Sequence, residues 1–165
     1  MVIVNEVKVL TSYITSDVFR WVVEKPCRRV FISTYSITKN PQTIGILESI
    51  GESGKKGVIL VNDEFRKTVY EMRGIKGVIW VFSEKIHAKI MMADSGRVAF
   101  GSGNLTAHAG RRLTWDVMCL VESMQLYKFF IREIFIPAIK IDLWRMKKRV
   151  VRDLQKEARR MEVLL

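Results

Sequence analysis

The stretch from Ile86 to Asn104 reads IHAKIMMADSGRVAFGSGN. Asp94-Ser95-Gly96 is a turn sequence, and the apolar runs on either side predict two strands, 87–93 and 97–101, joined as a hairpin. On a strand, side chains two apart share a face. His87 and Lys89 are therefore expected to project together, with Ala88 and Ile90 turned into a core. The returning strand brings Ser102 and Asn104 to the same end. An imidazole, an ammonium, a hydroxyl and an amide then converge on one spot. Donors of this kind offset charge on the non-bridging oxygens of a phosphodiester, and a histidine nitrogen can attack phosphorus to give a covalent intermediate.

Outward from the hairpin, apolar strands alternate with helical patterns. Strands are expected at 29–37, 57–62, 77–82 and 116–122, with a weak edge strand within 2–10. Helices are expected at 15–25, at 42–52, from a cap at Asp63 to about Arg73, and as two final segments, 124–136 and 140–163. The order predicts an α/β domain: a layered, mixed sheet flanked by helices. The division is a domain over 1–138 and a basic amphipathic helix over 139–165. In that helix Trp144, Val151, Leu154, Ala158, Met161 and Leu165 form a narrow apolar seam beside a basic face. It packs on its own domain, pairs with a partner with its basic face along nucleic acid, or lies on an anionic membrane.

The spacing His87-x-Lys89-x4-Asp94-x6-Gly101-Ser102-x-Asn104 is complete at every fixed position of the HKD signature. It resembles the phospholipase D superfamily, and the likeness in element order extends over roughly residues 5–136. What the resemblance implies is phosphodiester cleavage through a phosphohistidine, with His87, Lys89, Ser102 and Asn104 catalytic. Asp94 and Gly101 are expected to be structural. The motif occurs once. A nucleophile alone cannot also protonate the leaving group and later deprotonate water, so a second group that titrates near neutrality is needed. His108, the only other histidine, has no x-Lys partner and reads as a loop or phosphate-contact residue. Two His87 residues facing across a two-fold axis meet the need better, and the resemblance implies the same: single-motif members are homodimers with one active site at the interface. Related nucleases carry a Glu near the position of Asp116. Asp116 is read either as the acid that orients the imidazole or as a capping or turn residue. Tyr35 lines the cleft or simply packs.

Composition narrows the substrate. The 165-residue chain carries a formal net charge of +11, an excess that favours polyanions. Arg111 and Arg112, just past the motif, are candidates for holding backbone phosphates. Cys27 and Cys119 lie far apart, with no spacing that would bind zinc. No metal and no cofactor is expected. The N-terminal MVIVNEVKVL lacks a basic signal-peptide region, and FFIREIFIPAI (129–139) is too short and too charged to span a bilayer. No integral membrane segment is expected, and the location expected is cytoplasmic. The expected function is a metal-independent, homodimeric nuclease, an endonuclease on DNA or RNA. A phospholipid (cardiolipin-type) phosphodiesterase and a nucleic-acid-binding module without activity are the competing readings.

Overall fold

The computed structural model of the chain describes residues 6–11, 15–106 and 116–145, with side chains through Asp142. Seven strands form one sheet: β1 (Lys8–Leu10), β2 (Arg29–Thr34), β3 (Lys56–Val61), β4 (Val78–Phe82), β5 (Lys89–Ala93), β6 (Arg97–Gly101) and β7 (Met118–Glu122). Their order is β1-β7-β6-β5-β2-β3-β4. β2, β3 and β4 are parallel, while β5, β6, β7 and β1 add on antiparallel from β2. The mixed α/β sheet is the one anticipated.

The helices explain why the strands are apolar throughout. Helices α1 (Thr15–Glu24) and α2 (Pro41–Glu52) cover one face. There Val18, Phe19, Val22, Ile46, Leu47 and Ile50 pack on Val30, Ile32, Ile59, Met91 and Ala99. The opposite face takes Leu126, Ile131, Phe135 and Ile139 against Phe31, Leu60, Val81, Ile90, Met92 and Val98. In β2 and β5, successive residues thus enter different cores, so neither face is open to solvent.

The cap of the segment after β3 is Asn62, not Asp63: its side chain accepts the Glu64 N–H. The expected helix to Arg73 is shorter, a 3₁₀ turn (Asp63–Phe65) followed by α3 (Arg66–Tyr70). The two helices expected near the C-terminus, with a break before residue 140, are instead one run. It comprises α4 (Met124–Phe130), a π-helical turn (Ile131–Phe135) and α5 (Ile136–Arg145). Pro137 is the physical reason. Its ring would collide with the carbonyl four residues back in a regular helix, and it has no N–H to donate. The wider turn just before it, where the Ile136 N–H reaches the Ile131 carbonyl, lets the chain continue. Most of the anticipated basic helix, residues 146–165, lies outside the described residues.

At the inner end of α5, Asp142 is fully buried and its Oδ2 accepts the Phe82 N–H of β4 at 2.9 Å. Arg66 lies 3.6 Å from its Oδ1 and stacks over the Phe82 ring at 4.2 Å. Burial pushes the Asp142 carboxyl above its ordinary value, against the lowering effects of the Phe82 N–H and the Arg66 charge.

Candidate active site

The site forms where the C-terminal ends of β2, β3 and β6 meet the start of β5. Register places them together: Ser33 pairs with Ile90, and Lys89 pairs with Gly101, which in turn pairs with Met118. This is the edge of a sheet at which the parallel half gives way to the antiparallel half, the kind of switch where α/β sheets bind ligands.

β5 begins at Lys89, so His87 stands in the preceding loop rather than on the strand, a correction to the expected span 87–93. Two side chains hold that loop away from strand geometry. Ser33 Oγ donates to the Ala88 carbonyl at 2.8 Å, and Asn62 Nδ2 donates to the Ile86 carbonyl at 3.3 Å and the Glu84 carbonyl at 3.2 Å. The carbonyls on both sides of His87 are thereby fixed. His87 and Lys89 nevertheless share one side as expected, with Lys89 Nζ 2.9 Å from His87 Nδ1 and 3.4 Å from Nε2.

Lys89 is only 8% exposed, whereas His87 is open to solvent. Burial draws the Lys89 ammonium below its usual value, and the Asp116 charge partly restores it. An ammonium can only donate, so a ring nitrogen bonded to it carries a lone pair.

Asn104 is half-buried, and its Oδ1 accepts from the Tyr35 N–H at 3.1 Å, the Ser36 N–H at 3.2 Å and Thr34 Oγ1 at 3.3 Å. The amide oxygen thus holds the loop after β2, and Nδ2 is the end with donors to offer a substrate. Thr34 Oγ1 also accepts the Leu105 N–H at 3.0 Å, which ties the two loops a second time.

Ser102 is exposed. Its hydroxyl donates to Asp116 Oδ1 at 3.2 Å and accepts the Val117 N–H at 2.9 Å. Asp116 therefore stands beside Ser102 and within electrostatic reach of Lys89. Gly101 is required by space: a Cβ there would lie 1.9 Å from the Val117 carbonyl oxygen. Asp94 is at the far end of β5, where Oδ1 accepts the Arg28 N–H at 3.0 Å. Gly96, at φ +86°, completes that turn. His108, Arg111 and Arg112 lie outside the described residues.

Tyr35 lines the site. Its ring centroid is 5.2 Å from that of His87, and its hydroxyl donates to Glu64 Oε2 at 2.8 Å. Beyond His87 a groove of about 370 Å³ opens toward the helical layer, walled by Ile86, Ala88, Ile134, Pro137 and Ile141. Asn62 and Glu64 were missed by the sequence reading, and Ser33 was noted only as part of a strand. Asn62 had a signal, an Asn at the end of a strand before an acidic first turn, but the signal marks a cap and not a neighbour of His87. Among the described residues no three His, Cys, Asp or Glu side chains gather as a metal site, and no helix is long and apolar enough to cross a membrane.

An α/β sheet with one His-x-Lys pair at its switch edge is a general class. The particular architecture is narrower. Nuc, a phospholipase D family member from Salmonella typhimurium, matches with a TM-score of 0.62 and 18% identity, over 77% of this chain and 91% of its own. NucT from Helicobacter pylori matches at 0.59 and 15% identity, over 79% and 96%. Polyphosphate kinase from Porphyromonas gingivalis matches at 0.59 and 20% identity, over 77% of this chain and 25% of the kinase. No protein-family model matches the chain, nor does any curated protein sequence. The chain has the fold of these structures, that of Nuc, a phospholipase D family member, among them.

Proposed function

We propose that the chain is a metal-independent phosphodiesterase that cleaves nucleic acid through a phosphohistidine on His87, acting as a homodimer. The observation that carries the reading is the buried Lys89 ammonium 2.9 Å from a ring nitrogen of an exposed histidine, with Asn104 and Ser102 on the same rim. A lone pair on that nitrogen becomes available for attack when a phosphate oxygen takes over the ammonium's hydrogen bonds. A nitrogen–phosphorus bond forms as the bond to the leaving oxygen breaks. The leaving oxygen takes a proton from His87 of the second copy. That imidazole, now neutral, takes a proton from water, and the resulting hydroxide displaces the first His87 from phosphorus. Lys89 and Asn104 Nδ2 stabilise the charge gathering on the non-bridging oxygens.

Nucleic acid is favoured over lipid by the net charge of +11, with Arg111 and Arg112 close to the motif. The two nuclease-named neighbours, Nuc and NucT, match over nearly their whole length, which supports the same choice. The mostly apolar groove beside His87 favours a phospholipid substrate, as does the basic amphipathic pattern of 139–165. In this reading the expected boundary at 138/139 moves into α5: the catalytic unit takes in Ile139 and Asp142, which are buried against the sheet, and the residues that follow are a basic arm. The test is hydrolysis of single- and double-stranded DNA and RNA, beside cardiolipin vesicles, in excess EDTA. Cleavage of nucleic acid that survives chelation is expected, with radiolabel from a phosphate-labelled substrate trapped on wild type and not on His87→Ala. Loss of cleavage on chelation, restored by Mg2+, would rule out the mechanism. Cleavage of the vesicles alone would rule out the substrate.

A further inference from the structure

We propose that Tyr35 is a positioning residue, a wall braced by Glu64 and Phe65 that sets the His87 ring and the Lys89 ammonium for reaction. This rests on His87 being the nucleophile. Because His87 precedes β5, strand pairing does not fix its side chain. On one side of the ring stands Lys89, at 2.9 Å. The Tyr35 ring is a second contact, with centroids 5.2 Å apart and planes tilted by 43°. Tyr35 in turn has little freedom. Its N–H is spent on Asn104 Oδ1, its hydroxyl on Glu64 Oε2, and its ring meets the edge of Phe65 at 5.8 Å and 76°.

The circuit closes through the backbone. Glu64 donates its N–H to Asn62 Oδ1 at 3.1 Å, and the Nδ2 of the same buried amide holds the Ile86 carbonyl, one residue before His87. Glu64 thus links the Tyr35 hydroxyl to the amide that holds the segment before His87. The Tyr35 ring also stands 5.8 Å from Lys89 Nζ, and its negative face offsets part of the cost of burying that ammonium. The bond to the Glu64 carboxylate pushes the phenol above its ordinary value, so the hydroxyl stays a donor throughout the neutral range.

A wall and a substrate contact predict different kinetics. Misplacing a nucleophile by about 1 Å costs on the order of 10²-fold in rate, whereas a lost substrate contact of equal strength in ground and transition states raises KM. The test compares Tyr35→Leu, Tyr35→Phe, Glu64→Gln and the Tyr35→Phe/Glu64→Gln double variant. The expected result for Tyr35→Leu is a kcat lowered by roughly 10² with KM within about twofold of wild type. Tyr35→Phe and Glu64→Gln should each lose roughly tenfold or less, and the double variant no more than either single one, because one hydrogen bond carries both effects. An unchanged kcat for Tyr35→Leu, or an effect confined to KM, would overturn the proposal, as would independent losses in the double variant. A second readout does not depend on turnover. The chain has two histidines, so the His87 ring signals in NMR are assigned by their absence in His87→Ala. Loss of the Tyr35 ring current shifts those signals by itself, so the readout is motion: Tyr35→Leu should lower the relaxation order parameter of the His87 ring and leave the amide spectrum of the sheet in place, and an unchanged order parameter would again overturn the wall. If wild type proves inactive on every phosphodiester, the proposed function fails, while the NMR comparison still decides whether Tyr35 sets the ring.

Discussion

Asn104 spends its oxygen on three donors of the 34–36 loop, so its contribution to chemistry is confined to one amide nitrogen. Asn104→Asp keeps the acceptor and removes the donor. It should lower kcat by about 10²–10³, the usual cost of a lost oxyanion donor, with thermal stability close to wild type. A loss of stability as large as the loss of rate would make the residue a strut and no more. Lys89 gives a pH signature. Its ammonium loses its proton at lower pH than a free lysine, because it is buried, and the Asp116 carboxylate works against that shift. Removing the carboxylate in Asp116→Asn lowers the Lys89 value further, so the alkaline limb of the kcat/KM profile should move to lower pH. A limb that stays put would disconnect Asp116 from Lys89. Gly101→Ala forces a Cβ onto the Val117 carbonyl, 1.9 Å away, and strands β6 and β7 must part to admit it. A cost of about 1–3 kcal/mol or more is expected in urea titrations.

At the level of elements, α5 is held to the sheet by a polar anchor as well as by apolar packing. Asp142→Ala leaves the Phe82 N–H buried without an acceptor and should cost about 1–3 kcal/mol. Asp142→Asn keeps an acceptor and removes the charge. The native carboxyl titrates above its unfolded value, so the folded protein binds the proton more tightly. Its contribution to stability is full below the unfolded value and is lost as pH rises through the native one. Relative to wild type, the Asn variant should therefore gain stability as pH rises through that window, measured by urea unfolding at a series of pH values. A constant difference would deny the buried charge its cost. The same elements mark how far the sequence could be read. Strand 57–62 was legible because both its faces are buried, and 77–82 because its residues run apolar without alternation, although Val78, Ile79 and Trp80 are only half-buried at the sheet edge. The turn at Asp94 was legible from its own residues. The start of β5 was not, because it is decided by Ser33 and Asn62, which come from other strands. The π-helical turn was not, because a proline inside a helical pattern reads equally well as a break or as a continued helix. The pairing of His87 with Lys89 was legible from spacing two apart, whereas Tyr35 and Glu64 reach the site only through the parallel pairing of β2 with β3.

For the whole molecule, the proposed reaction needs two histidines and the motif supplies one. Wild type exchanged with His87→Ala subunits should lose activity faster than its own fraction falls, approaching the square of that fraction when exchange is random. A monomer that keeps full specific activity at high dilution would end the two-fold account. The charge of +11 should appear as a steep fall in nucleic-acid affinity with salt, flattened in the Arg111→Ala/Arg112→Ala variant. Affinity indifferent to salt would shift the case toward another substrate. The clamps on Ile86 and Ala88 carry a consequence for how the protein fluctuates. Ligand-binding loops and active-site lids commonly open locally at little cost. Here the loop bearing His87 is bonded to the ends of β2 and β3, strands whose cores lie on both faces of the sheet. Swinging it out takes the breaking of those side-chain bonds. Ser33→Ala and Asn62→Ala should each loosen the loop, checked as faster proteolytic nicking at residues 84–89 while the sheet stays folded. Fraying would spare the reactive centre, and any lesion that loosens the central strands would disable it before the chain as a whole came apart.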